Sequence, residues 1–192
     1  MSDFGLFFGK FLRQGTAIAS LAPSSPWLSR ATVREVDWAT ARVVVELGAG
    51  TGPITRVLAE RAPDACRVVV LERDPDFARL LRERFSGRPN LDVVEGDVRD
   101  LAAILADRGV TRADAIVSGL PVPSFPADLT RSLFRDVGRL LPDGGLYSQI
   151  TELPWVYWRF YRRFFEDVRF AFEPRNLPPA GAYFCRGVKP LD

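Results

Sequence analysis

Three acidic residues that close short apolar runs are the groups best placed to do chemistry. Glu46 follows Val43-Val44-Val45, Glu72 follows Val68-Val69-Val70-Leu71, and Asp97 lies just past Leu91-Asp92-Val93-Val94-Glu95-Gly96. Carboxylates at strand ends can accept hydrogen bonds from the hydroxyl, amine and cationic groups of a ligand lying across the sheet edge. After the first acid comes Gly48-Ala49-Gly50-Thr51-Gly52-Pro53, spaced G-x-G-x-G. Glycines there let backbone approach a ligand where a Cβ would collide. A nicotinamide dinucleotide site would place its third glycine at position 53, which is Pro53. Ile54 to Arg61 continues with helical spacing, so the segment is expected to be strand, turn, helix.

This arrangement resembles the first motif of class I S-adenosylmethionine-dependent methyltransferases. The resemblance implies S-adenosylmethionine as cofactor and S-adenosylhomocysteine as product. Glu46, Gly48, Gly50, Thr51 and Gly52 would hold the amino-acid part. Glu72, with Arg73 beside it, lies about 20 residues past the glycines, where a ribose-binding carboxylate belongs. Asp97 and Val98 would meet the adenine, and Ser118 would stand by the methyl-transfer centre. A doubly wound domain binding another nucleotide, or none, is the competing reading.

Positioning these groups requires an α/β sheet, and 192 residues at 47% hydrophobic content suffice for one such core. A single domain over residues 1–192 is expected, with a doubly wound, Rossmann-like seven-stranded sheet and helices on both faces. The strands after the first three are expected at Ala113 to Val117, Leu146 to Thr151, Asp167 to Phe172 and Ala182 to Arg186. A net charge of +2 is well short of the field that drives tight nucleic-acid binding. With Cys66 and Cys185 as the only cysteines and no histidine, the chain has neither a zinc ligand set nor a disulfide framework, so no metal is expected. Both cysteines are expected to pack in a reducing compartment.

Residues 1–21 read as an amphipathic segment: Phe4, Phe8, Phe11 and Leu12 share one helical face, with Phe7 beside them. That segment is too short to span a bilayer and suits a membrane interface, though it could equally pack on its own domain. Ser25-Pro26 starts a further helix, Ser25 as N-cap and Pro26 at the first helical position. Residues 152–166 form an aromatic and basic insertion in which Trp155 and Trp158 alternate with arginines. Such a stretch can lie at lipid headgroups, stack single-stranded RNA or pack on the sheet.

The aromatic N-terminus, Ala22-Pro23-Ser24-Ser25-Pro26, the glycine motif, Ser118-Gly119-Leu120-Pro121 and Arg175-Asn176-Leu177-Pro178-Pro179-Ala180 together resemble the small bacterial phospholipid N-methyltransferases. The resemblance implies stepwise methylation of phosphatidylethanolamine towards phosphatidylcholine, by a monomer on the cytoplasmic face of an anionic membrane. A related group acts on ornithine lipids. Substrate-binding candidates are Ser24, Ser25, Arg30, Gly119, Leu120, Pro121, Arg175 and Asn176, the arginines because a guanidinium grips phosphate. With no histidine, Tyr147, Glu152 and Ser118 are the candidates for facing the amine.

Two alternatives were weighed. Adenine-N6 methyltransferases of the ribosomal RNA dimethylase type carry Asn-Leu-Pro followed by Tyr or Phe at the fourth strand, where this chain has Gly119-Leu120-Pro121-Val122. The missing amide and stacking ring weaken base chemistry, and no nucleic-acid partner is expected. A catalytically silent, membrane-docking S-adenosylmethionine-binding protein is the other.

Overall fold

A computed structural model describes residues 25–153 and 155–191 of the chain. The amphipathic segment 1–21, with Phe4, Phe7, Phe8, Phe11 and Leu12, and Ser24 lie outside the described residues. Seven strands form one sheet in the order β3-β2-β1-β4-β5-β7-β6. They are β1 Val43–Leu47, β2 Arg67–Glu72, β3 Leu91–Glu95, β4 Ala115–Ser118, β5 Leu146–Thr151, β6 Phe165–Glu173 and β7 Ala180–Val188. β1 to β5 pair in parallel, and β7 inserts antiparallel between β5 and β6. The central strands are apolar on both faces because helices cover both, as parallel strands require.

Side-chain alternation sorts the core into two layers. Val45, Leu47, Ile116 and Tyr147 pack on one face with Phe134, from the helix Ala127–Leu140, and Tyr161. Val44, Val68, Val117 and Phe184 pack on the other with Leu58, from the helix Pro53–Arg61, and Leu81, from the helix Pro75–Arg84. The helix Pro26–Thr32 lies on the β5 and β7 side of that second face, where the Ser148 hydroxyl donates to the Thr32 carbonyl at 2.6 Å.

The expected seven strands are present, with shifted ends. β4 starts later and runs through Ser118, while β6 and β7 are nine residues each because their antiparallel pairing holds from Phe165↔Val188 to Glu173↔Ala180. Asp100 precedes the helix Leu101–Ala106 without a side-chain capping bond, and Asp97 accepts from the Arg99 N–H.

Of the readings open for residues 152–166, packing on the sheet holds for the rings from Phe160 to Phe165: Tyr161 and Phe165 enclose Phe134, and Phe160 and Phe164 pack beside it. Trp158 is half-buried with its edge to Tyr183, 6.5 Å between centroids, and so does not present a free ring for a membrane. Trp155 alone of the two tryptophans stays outside.

Candidate active site

β1 delivers Glu46 and the glycine turn to the carboxyl edge of the sheet. Gly48, Gly50 and Gly52 all have positive φ, at 71°, 56° and 86°. Each is there for a different reason. A Cβ on Gly48 would collide with the Leu120 side chain, and one on Gly52 would lie 2.5 Å from Leu81 Cδ2. A Cβ on Gly50 would meet nothing within 4 Å, so this glycine faces open space that a ligand can enter. Pro53 then starts its helix at the first position, where the missing N–H costs nothing.

Glu46 is fully buried beneath that turn, and neither carboxylate oxygen has a hydrogen-bond partner among the described residues. Thr55, third residue of the helix, is buried beside it with its hydroxyl also unpartnered. Burial pushes the Glu46 carboxyl from 4.5 up to about 8; the nearby Thr55 hydroxyl and N–H pull it down, while Glu72 adds to the rise. Uncompensated buried carboxylates are costly, so this pair of orphaned oxygens fits a cationic ligand group.

Glu72 ends β2 and accepts from the Gly50 N–H at 2.7 Å and the Asp74 N–H at 2.8 Å. It therefore braces the glycine turn while its remaining lone pairs stay suited to ribose hydroxyls. Asp97 accepts from Arg99 Nη1 at 2.9 Å, with exposed Arg73 at 3.8 Å, and Val98 opens the short 3₁₀ turn behind it. Thr51 is buried, and its carbonyl accepts from Arg84 at 2.7 Å, which fixes the far side of the turn.

Opposite the glycines, Ser118-Gly119-Leu120-Pro121 turns out of β4. Gly119 packs against the first turn so closely that a Cβ would lie 2.6 Å from the Gly48 carbonyl oxygen. The organiser of this corner is Gln149, which is 1% exposed. Its amide Nε2, with two hydrogens, lies within hydrogen-bonding distance of three carbonyls, Leu120 at 2.8 Å, Ile150 at 3.0 Å and Ser118 at 3.2 Å, so that one hydrogen is shared, and its Oε1 accepts from the Tyr147 hydroxyl at 2.7 Å. Sequence reading missed Gln149; the signal was a polar amide inside the otherwise buried run Leu146–Thr151.

Several expected roles change. Tyr147 is enclosed by Phe134, Tyr161 and Phe165 and stacks on Phe165 at 5.3 Å, so its ring does not face an incoming amine. Burial also pushes its hydroxyl well above its ordinary value, with Ser118 pulling the other way, which removes it as a base. Arg175 is engaged bidentately by Glu173, at 2.7 and 2.8 Å, and lies 4.2 Å above the Trp27 ring. That contact pulls the Glu173 carboxyl below its ordinary value. Asn176 is buried and structural: Oδ1 accepts from Ser25 N–H at 3.1 Å, and Nδ2 donates to the Pro178 carbonyl at 2.7 Å. Ser25 caps its helix by accepting from Leu28 N–H. Arg30 is exposed, 5.9 Å from the Trp27 ring, and Glu152 is half-buried just past β5.

The strand order, the glycine turn and the acid under it define a Rossmann-like methyltransferase. Residues 44–145 match the family model described as a methyltransferase domain, and the chain belongs to that family. It is an S-adenosylmethionine-dependent methyltransferase, and Glu46, the open space at Gly50 and Glu72 fit that cofactor. Over 189 residues it is 72% identical to an ornithine lipid N-methyltransferase of Singulisphaera acidiphila, covering 98% of each chain. A ribosomal RNA small subunit methyltransferase A of Acidobacterium capsulatum is 47% identical over 66 residues, which cover 33% of this chain and 22% of that one. Among solved structures, the Thermus thermophilus 16S rRNA N2 G1207 methyltransferase, in complex with AdoMet and guanosine, superposes with a TM-score of 0.63 at 19% identity. That match covers 89% of this chain and 44% of that one and shows the shared fold.

Proposed function

We propose that this enzyme methylates the amine of an ornithine lipid. The observation that carries this reading is the 72% identity with the ornithine lipid N-methyltransferase, sustained over 98% of both chains. Phosphatidylethanolamine, the first expectation from sequence, becomes the second candidate. Both lipids offer a primary amine beside an anionic group, a carboxylate in one and a phosphate in the other. The likeness to the RNA methyltransferases spans about a third to two thirds of this chain but at most 35% of those enzymes, and position 119 lacks the amide that would hold a base.

When bound, S-adenosylmethionine supplies a methyl group on a sulfonium. Glu46 is the group of this chain that receives the cofactor's positive charge, and the Gly50 turn accommodates its amino-acid part. Glu72 and Asp97, at the ends of β2 and β3, are proposed to hold the ribose and adenine. Ser118 to Pro121 form the wall against which the lipid amine is aligned, their backbone fixed by Gln149 so that little reorganisation is needed on binding. The amine must first lose a proton. With a lysine-like value of ~10.4, deprotonation at pH 7 costs ~4–5 kcal/mol, which burial in a dry cleft offsets. Glu152 and the Ser118 hydroxyl are the proposed proton-accepting and aligning groups. Arg30, with no carboxylate partner among the described residues, is proposed to meet the lipid anion; Arg175 could do so only by exchanging Glu173 for it.

No described helix is long and apolar enough to cross a membrane. The enzyme is therefore proposed to reach its lipid from the membrane surface. The test offers purified protein and methyl-labelled S-adenosylmethionine to ornithine lipid vesicles, phosphatidylethanolamine vesicles and total RNA side by side. Label in methylated ornithine lipid is the expected result. Label in phosphatidylethanolamine alone would replace the substrate, and label in RNA alone would overturn the lipid reading.

A further inference from the structure

Single exposed apolar side chains are ordinary, but their distribution here is not. Among the described residues, the exposed large hydrophobics are Trp27, Leu153, Trp155, Val156, Phe172 and Leu177. β5 and β6 are each antiparallel to β7, so they run in the same direction and end together. Leu153, Trp155 and Val156 follow the end of β5, Phe172 sits in the last turn of β6, and Leu177 is in the loop after it. Trp27 joins them because the start of its helix is tied to that loop through Ser25 and Asn176. All six therefore gather at the carboxyl end of the sheet, the end that carries the glycine turn and Ser118.

The local geometry keeps these side chains outward. Trp155 has φ 64°, a left-handed conformation unusual for a bulky residue, and remains 62% exposed while leaning on Phe170 and Phe172 at centroid distances of 5.5 and 5.4 Å. Arg30, and Arg175 in its pair with Glu173, flank the Trp27 ring, so aromatic groups and the Arg30 cation, unpaired among the described residues, meet on the same rim. A half-solvated indole beside guanidinium groups suits the headgroup layer of a membrane. Trp38, in contrast, lies before β1, at the opposite end of the sheet.

We propose that this end of the molecule, centred on Trp155, Phe172 and Leu177, seats on an anionic lipid bilayer. The inference rests on the reading that the substrate amine is borne by a lipid. Seated so, the glycine turn and the Ser118 to Pro121 corner face the bilayer, and the headgroup reaches them while its acyl chains stay in the membrane. The surface differs from the one expected from sequence: Trp158 takes no part, and Phe172 and Leu177, unnoticed as membrane groups in the sequence, take its place.

The experiment uses the full chain with vesicles of phosphatidylcholine and phosphatidylglycerol carrying brominated acyl chains. Quenching of tryptophan fluorescence is expected to shrink in Trp155→Phe and to persist in Trp38→Phe. The double variant Trp155→Ser/Phe172→Ser is expected to lose about tenfold or more in vesicle partition. Its methyl transfer to vesicle-borne ornithine lipid should fall in step, with transfer to a short-chain ornithine lipid below its micelle concentration unchanged. Wild-type partition by a folded double variant would overturn the proposal. So would loss of partition only on substituting Phe4 and Phe8, with Trp155 unquenched. If no lipid is methylated yet quenching still depends on Trp155, the docking surface stands and the substrate reading falls.

Discussion

The two halves of the carboxyl edge treat their buried polar groups in opposite ways. In the β1 and β2 half, Glu46 and Thr55 are buried with no partner, and Gly50 opens onto empty space. In the β4 to β7 half, Tyr147 satisfies Gln149, Gln149 shares its two amide hydrogens among three carbonyls, Asn176 ties Ser25 to Pro178, and Arg175 is held by Glu173. The first half is incomplete until a cationic ligand arrives. The second is held together by these bonds, with the Tyr161 and Ser29 hydroxyls its buried exceptions, and it is proposed to serve as a rigid wall. On the proposed reading, the cofactor is met by unsatisfied groups, whereas the acceptor is met by backbone held in place.

The largest expected effect is at Gly50. Gly50→Val places a branched side chain in the open space at a positive φ and should weaken S-adenosylmethionine binding by at least about 100-fold, with ~1–2 kcal/mol lost in stability from the backbone. Glu46→Gln comes next, with affinity lowered roughly 10- to 100-fold, the worth of one charge-assisted hydrogen bond. The same variant tests a pH effect. Because the folded Glu46 carboxyl binds its proton up to about pH 8 and the unfolded one only to about 4.5, the folded state holds more protons between them. Stability of the ligand-free protein therefore falls as pH rises through that window, by roughly 5 kcal/mol from this group. Denaturant unfolding at pH 5 and pH 8 should show the fall in the wild type and much less of it in Glu46→Gln.

Effects in the wall should be of a different kind. Gln149→Leu leaves buried carbonyls and the Tyr147 hydroxyl without their partner, about 2–4 kcal/mol of stability in all, and should lower turnover without changing cofactor affinity. Loss of cofactor affinity there would blur the division between the halves. Tyr147→Phe should be mildest, about 1 kcal/mol, with turnover kept within roughly tenfold. A collapse of turnover with stability intact would return Tyr147 to the reacting centre.

The first half was the more legible in sequence for the same reason that it awaits a ligand. Backbone that must approach a ligand needs glycine, and strand-end acids follow short apolar runs, so Glu46, Gly48, Gly50, Glu72 and Asp97 stand out one residue at a time. The wall depends on pairings between distant segments, such as Ser25 with Asn176 and Gln149 with Leu120, which no local pattern records. Tyr147 illustrates the loss: strand alternation shows that it faces one layer, but only the packing of Phe134 and Phe165 shows that this layer is closed. The strands were legible because each is a β-branched or apolar run, and their ends were not, because pairing with a neighbour sets them. The stretch 152–166 left a surface and a packed helix both open, because rings and arginines alternate there. A helical turn sorts them instead, with Tyr161 inward and Arg159 and Arg162 outward.

The most direct measurement is calorimetry of S-adenosylmethionine binding at pH 7 in two buffers of different ionisation enthalpy. A Glu46 carboxyl protonated up to about pH 8 must give up its proton to meet a cation, so close to one proton should be released on binding. Release should vanish in Glu46→Gln. Equal apparent enthalpies in both buffers for the wild type would mean that Glu46 does not receive the cofactor's charge, and the division of the site into a waiting half and a finished half would fail.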